Sequence, residues 1–255
     1  MLKKSEIAQR LYEHIPKRDT AGKVEEVRVG LGYVAVALDK KHTGLAAVLR
    51  QDLEFHCGIL AKAGTLSGTP ASDLLNYLVN GRNPLERALG LATANAILGA
   101  GVPDEENDTI ALMNLSPSDH VVMIGFFRPL VPRIEQTGAE LTVLEKQKNR
   151  APALPHILSF KSRGDILKSC SVAIITATTI LNNTLEAILN DLENPRWVCI
   201  LGPSTPLCRN IFAGTPVTHL GGSVVLNRQK VMQIVSEGGG TPSMRPYLRF
   251  VNLVL

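Results

Sequence analysis

His120-Val121-Val122-Met123-Ile124-Gly125-Phe126-Phe127-Arg128-Pro129-Leu130 decides the fold. A nearly continuous apolar run meets a glycine, then a proline able to open a helix. Strand and turn recur in three further places. Leu141-Thr142-Val143-Leu144 ends at Glu145, Val172-Ala173-Ile174-Ile175 runs into Thr176, and Trp197-Val198-Cys199-Ile200-Leu201 runs into Gly202. Helical spacings predict helices over 129–136, 183–191, 206–212 and 228–237. Strands that are apolar throughout and alternate with helices predict a parallel sheet buried on both faces, hence a Rossmann-like α/β domain. Such sheets bind ligands beyond the carboxyl ends of their strands.

Upstream the pattern is different. Ile7, Leu11 and Ile15 have helical spacing, and Pro16 ends that helix. Two strand-like runs, 24–29 and 33–38, flank Gly30-Leu31-Gly32, whose glycines suit the positive φ of a tight hairpin. A loop rich in Thr and Gly follows. Helices then open at Pro70-Ala71-Ser72-Asp73 and at Asn83-Pro84, with Asn83 as N-cap and Pro84 in the first helical position. Leu85, Ala88, Leu89, Ala92, Ala96 and Gly99 line one face of the second. A compact α+β domain is expected up to about residue 105, with Asp104-Glu105-Glu106-Asn107-Asp108 as linker.

The ends of the strands carry the candidate site residues. Gly125, Phe126 and Arg128 follow the first strand, where Arg128 either meets an anion or is solvated. This is not a GxGxxG fingerprint. Glu145 lies twenty positions after Gly125, where an acid in Rossmann-like domains accepts hydrogen bonds from a ribose diol; a surface glutamate is the plain alternative. Thr176, Thr178, Thr179, Asn182 and Asn183 follow the third strand, and Asn183 with Glu186 has capping-box spacing. After the fourth strand, Gly202-Pro203-Ser204-Thr205-Pro206 reads as a stiff helix start with Thr205 as N-cap. The amides and hydroxyls of Ser204 and Thr205 are expected to face a ligand. Alanine at both should then abolish binding and leave the thermal midpoint nearly unchanged. Glu237-Gly238-Gly239-Gly240 closes a helix and reads as a flexible turn able to fold over a ligand. Asn95, inside the apolar run 90–98, needs a buried partner, either backbone or ligand.

Composition narrows the classes. The chain has 255 residues, 45% hydrophobic and 20% charged, which suits a soluble globular protein. Its net charge of +4 is scattered, without a nucleic-acid motif. The N-terminal residues form no signal peptide, and no uncharged stretch reaches the roughly 20 residues that span a bilayer. A cytoplasmic protein is expected. Four dispersed cysteines and six dispersed histidines offer no metal-ligand spacing, and His56 beside Cys57 would need a loop to share a metal. GxSxG, HExxH and P-loop motifs are absent.

Taken in order, the segments 125–130, 176–184, 202–206 and 237–240 resemble those of a prokaryotic family described as "putative heavy-metal chelation", a domain of unknown function. The resemblance covers most of residues 113–255, and Gly90-Leu91-Ala92 with Asn95-Ala96 resembles the small domain that precedes it. It implies an enolase-N-terminal-like α+β domain over 1–108 and a Rossmann-like domain over 109–255, with a cleft between them. It also implies partial likeness to methyltransferase-type Rossmann domains, and a role in metal chelation or in making a chelating or pterin-like compound. No soft-ligand cluster is present, so any metal is expected to be held through an organic chelator. The resulting expectation is a small polar metabolite bound by Ser204, Thr205, Thr178, Thr179 and Asn182, with Asn95 reaching in. Glu145 and Glu237 are the acid–base candidates for condensation, hydrolysis or group transfer. An S-adenosylmethionine-dependent enzyme and a non-catalytic metal or metal-chelate carrier are the rivals. The expected partner is a small molecule, with no nucleic acid and no membrane; a homodimer is allowed.

Overall fold

The computed structural model of the chain describes residues 1–39, 42–53, 58–99, 108–146 and 157–255. The His56-Cys57 pair and positions 104–107 of the expected linker lie outside them. Asp108, the last of those linker positions, caps a helix: its carboxylate accepts from the amides of Ile110 and Ala111 at 2.9 and 3.4 Å.

Helix α1 (Glu6–His14) precedes a three-stranded antiparallel sheet of β1 (Val24–Val29), β2 (Tyr33–Leu38) and β3 (Thr43–Ala47), in that order. Helices α2 (Ala71–Leu75), α3 (Tyr77–Asn80) and α4 (Pro84–Leu98) follow. The start of α4 is as read from sequence, with Asn83 accepting from the amides of Leu85 and Glu86. Its burial is not confined to one face, because Glu86, Gly90, Leu91, Thr93, Ala94 and Ile97 are buried too. A helix apolar all round is a buried helix, and each fully buried leucine such as Leu89 or Leu91 contributes about 1.5–3 kcal/mol.

Strand β3 falls in the stretch expected as loop. It escapes pattern reading because 43–46 are buried without alternation. Gly44 is the reason α4 can lie directly on it: a Cβ there would stand 2.0 Å from the Ala92 carbonyl oxygen. The hairpin glycines also differ from expectation. Neither Gly30 nor Gly32 has a positive φ. Gly30 instead permits a close approach, since a Cβ would stand 2.0 Å from the carbonyl oxygen of Val235.

The second sheet has seven strands. They are β4 (His120–Ile124), β5 (Glu140–Glu145), β6 (Ile157–Ser159), β7 (Val172–Thr176), β8 (Trp197–Leu201), β9 (His219–Val225) and β10 (Leu248–Val254). Their order is β10-β9-β8-β7-β4-β5-β6, parallel except for β10, which pairs antiparallel with β9. Numbered from β4 as the first strand, the parallel part runs 3-2-1-4-5-6, the order of doubly wound nucleotide-binding sheets. The chain turns back across β4 to reach β7, so the strand order reverses between β4 and its two neighbours. Helices α5 (Thr109–Met113), α6 (Val131–Glu135), α7 (Arg163–Ser169), α8 (Thr178–Leu181), α9 (Leu185–Asp191), α10 (Arg228–Ser236) and α11 (Thr241–Met244) accompany these strands, and α10 packs Val231 and Val235 with Ala35 and Ala37 of the small sheet.

Two expected helix starts are corrected. No α-helix begins at Pro206: residues 205–208 are irregular, and only a 3₁₀ turn over Arg209–Phe212 follows. Asn183 does not cap α9; it sits at φ 56°, and Thr184 holds the N-cap place without a side-chain bond. Glu186 is not half of a capping box, because its carboxylate accepts from the Ile7 amide of α1 at 3.0 Å. That bond is part of a wider joining of the two sheets. One apolar core holds Ile7, Val36 and Ala92 together with Leu144, Ile175 and Leu181.

Candidate functional site

A cleft of about 400 Å³ opens at the carboxyl ends of β4, β5 and β7, where the strand order reverses and such sheets bind ligands. The 3₁₀ turn Arg50–Asp52, which follows β3, closes its other side. The site therefore lies between the two sheets.

Gly125 shapes the floor. Its φ is +87°, its amide donates to the Leu144 carbonyl at 3.0 Å, and a Cβ would stand 2.9 Å from the Thr176 methyl. Phe126, Phe127 and Phe160 supply apolar walls. Beyond β7 the hydroxyls of Thr176 and Thr178 are 3.0 Å apart, while Thr179 donates its own to the Thr176 carbonyl at 2.7 Å. The Thr184 hydroxyl donates to Asn182 Oδ1 at 2.6 Å and so fixes that amide's orientation. Glu145 ends β5 and lines the cleft while only 8% exposed. Next to it, Lys146 Nζ reaches Asp52 at 2.9 and 3.1 Å and ties β5 to the turn of the small sheet.

Of the residues singled out from sequence, the cleft brings together Gly125, Phe126, Glu145, Thr176, Thr178, Thr179 and Asn182. Arg128 is exposed and Asn183 half-buried, and neither lines it. The Gly202-Pro203-Ser204-Thr205 loop serves another purpose. Ser204 and Thr205 are buried; Ser204 Oγ accepts from the Ala47 amide of β3 at 2.8 Å. The Thr205 amide donates to Gly202 at 2.9 Å and its hydroxyl lies 3.5 Å from the Ile200 carbonyl. Asn95 completes this seam, with Nδ2 donating to Leu45 and Ser204 carbonyls at 2.9 and 3.1 Å. Asn95 Nδ2 thus meets backbone, while Oδ1 is buried without a hydrogen-bond partner among the described residues. These polar groups join the sheets and are not left open to a ligand in the cleft.

Glu237, Gly238 and Gly239 lie elsewhere again. Gly238, at φ +78°, and Gly239 donate to Val235 and Ile234 carbonyls at 3.1 and 2.8 Å, a Schellman end to α10. Gly238 rests against Leu31 of the hairpin. Glu237 accepts from Gln233 at 2.9 Å in a shallow groove shared with Glu26, Arg28 and Arg228. Glu145 and Glu237 thus occupy different surfaces and cannot act as an acid–base pair. Arg50, Gln51, Asp52, Lys146, Phe160 and Thr184 line the cleft and were not anticipated. Only the fold brings Arg50–Asp52 to the strand ends, and no local pattern marks them.

Residues 108–254 match the DUF364 family and residues 12–98 the DUF4213 family, both described as "putative heavy-metal chelation". The chain belongs to the DUF364 family. An uncharacterized protein of Methanocaldococcus jannaschii is 21% identical over 235 residues, covering 89% of this chain and 88% of that one. Two solved DUF364 structures share the fold. One, from Pyrococcus horikoshii, has a TM-score of 0.82 at 20% identity over 98% of this chain and 99% of its own. The other, from Desulfitobacterium hafniense, has a TM-score of 0.80 at 21% identity over 98% and 97%. Both are described as proteins of unknown function.

A heavy metal bound by thiolates does not fit the described cysteines of this DUF364 chain. Among the described residues, Cys170, Cys199 and Cys208 are each buried on separate elements. Burial pushes the Cys170 thiol up to about 11 and raises Cys199 and Cys208 as well, whereas a metal ligand must be the thiolate. No three His, Cys, Asp or Glu side chains gather among the described residues. No helix among them is long and apolar enough to cross a membrane.

Proposed function

We propose that this protein binds a small polar metabolite in the cleft between its two sheets, and that any metal enters as a complex of that metabolite. The observation that carries this reading is the junction of Glu145, Thr176, Thr178 and Asn182 at the strand-order reversal, walled by Phe126, Phe127 and Phe160. A pocket with apolar walls and a few convergent polar groups is the usual form of a small-molecule site. The family description supports a link to metal, and the buried, dispersed thiols argue that the organic partner holds it. A condensation, hydrolysis or group transfer here would use Glu145 as the carboxylate in reach.

Thermal shift tests this with nickel, cobalt and zinc salts, organic chelators, their metal complexes and pterins. A ligand that binds only the folded state raises the midpoint by mass action. A shift from an organic ligand that is lost in a Thr178→Val/Asn182→Ala double variant supports the cleft. A shift from bare metal that survives those substitutions overturns the reading in favour of a metal carrier.

A second reading, an S-adenosylmethionine-dependent enzyme, draws on Glu145 standing at the end of the strand after β4, where a ribose diol is held in related sheets. Failure to bind S-adenosylmethionine or its demethylated product at millimolar concentration removes it.

A further inference from the structure

The cleft's polar groups differ systematically with depth. Glu145 and Thr179 are buried, Thr176, Thr178 and Asn182 are half-buried, and Arg50 at the opening is exposed. The hydrogen-bond inventory gives each level a chemical preference. A carboxylate offers two oxygens and about four lone-pair sites, so Glu145 is an acceptor with more than one place for a donor. Asn182 Oδ1 is occupied by Thr184, which leaves Nδ2 as the group to offer. Thr179 has spent its proton on the Thr176 carbonyl. At the opening, Lys146 is engaged by both oxygens of Asp52. The Arg50 side chain, exposed at the edge of the cleft, makes no ion pair or hydrogen bond with a described residue and brings a guanidinium with five N–H donors to the opening.

We infer that the cleft takes a small carboxylate carrying hydroxyl or amino groups at its far end, with those donors on Glu145 and the carboxylate on Arg50. The inference rests on the proposed cleft-binding function and assigns it a ligand class. Guanidinium and carboxylate match in a planar, two-bond contact that lysine cannot reproduce. Acceptors at the bottom and a guanidinium at the top orient such a molecule in one direction only. The same class, hydroxy- and amino-carboxylates, holds metal ions through hard oxygen and nitrogen donors.

The test is calorimetric titration with gluconate and 4-aminobutyrate as probes and the neutral methyl ester of gluconate as control. Wild type binds at least one carboxylate and binds the ester more weakly. Arg50→Gln, an exposed change checked for an unaltered unfolding midpoint, weakens that carboxylate by about tenfold or more, as loss of a charge-assisted pair requires. Raising the salt weakens wild type and leaves the variant nearly unaffected, because the contact lies at the opening. Glu145→Gln also weakens binding but keeps the salt dependence. Carboxylate binding that survives Arg50→Gln within twofold, yet is lost in the Thr178/Asn182 double variant, overturns the ligand class and spares the cleft. Binding of a neutral compound but of neither carboxylate does the same. No binding by any of the three compounds overturns this inference, while the cleft reading stands or falls by the thermal-shift test.

Discussion

Ser204 Oγ accepts a hydrogen bond from the backbone amide of Ala47 at 2.8 Å, so the most distinctive loop of the second half satisfies a strand of the first. Its neighbours point the same way: Asn95 binds the Ser204 carbonyl from α4, and Thr205 is buried beside it. The Ser204→Ala variant removes the acceptor and leaves the Ala47 amide without a partner at a packed seam. That costs about 1–2 kcal/mol, read as a lower urea midpoint with an unchanged slope. Ligand affinity well below the midpoint stays within twofold. This outcome reverses the one expected from sequence, where the same hydroxyl was assigned to the ligand.

Two glycines separate close packing from mere flexibility. Gly44 has Ala92 O and Ala96 N at 2.0 and 2.3 Å from where a Cβ would be, both backbone atoms of a buried helix. Neither can move without lifting α4 off the sheet, so Gly44→Ala costs more than about 3 kcal/mol or leaves the chain unfolded. Gly164, inside α7, has nothing within 4 Å of its added Cβ and no left-handed φ. Gly164→Ala, in the first turn of α7, therefore stabilises by up to about 0.5 kcal/mol through helix propensity. Paired thermal melts decide both. Equal effects at the two positions would sink the packing argument.

His219 makes stability depend on pH. The ring is fully buried; Nε2 lies 2.8 Å from Asn252 Oδ1, which also accepts the Thr109 hydroxyl at 2.7 Å. An acceptor on that side assigns the proton to Nε2. It leaves Nδ1 buried without a hydrogen-bond partner, beside Trp197 at 5.2 Å between ring centroids. Burial pushes the imidazole below its ordinary 6.5, and the Asn252 bond only partly offsets this. The unfolded chain thus takes up a proton before the folded one does. Stability is full above 6.5 and falls as pH drops below it, toward the folded value. Urea midpoints across that range should show the slope in wild type, and the His219→Gln variant should lose it. A slope unchanged in the variant would assign the dependence to another group.

How much of this was legible depends on where each residue's partners lie. Strands β4 and β8 could be read to the residue because both faces are buried and a glycine follows each. Strand β9 was hidden by Gly221 and Gly222, poor strand formers that are there to admit the side chains of Leu201 and Leu207. In the site, Gly125, Glu145, Thr176 and Asn182 were legible because each lies at or beyond the carboxyl end of a strand that faces the cleft. Asp52 was not, since it meets Lys146 across 94 positions of chain. The Ser204 loop was misassigned for a related reason. A polar loop after a strand looks the same whether its hydrogen bonds go to a ligand or to a neighbouring sheet, and only Ala47 distinguishes the two.

The pair of Asp52 and Lys146 gives the sharpest test of the charge arrangement in the cleft. Their side chains are 26% and 57% exposed, so water screens the attraction and its worth to stability is about 0–1 kcal/mol. Its effect on a bound anion is larger, because Asp52 cancels the one other cation lining the opening beside Arg50 among the described residues. The Asp52→Asn variant keeps the shape, releases the Lys146 ammonium and raises the local charge by one. Its melting midpoint should barely move, while gluconate or 4-aminobutyrate binds several-fold more tightly, with a steeper salt dependence. Weaker binding in that variant would mean that Asp52 itself touches the ligand. The donor end of the molecule would then lie at the opening and the carboxylate would be turned inward.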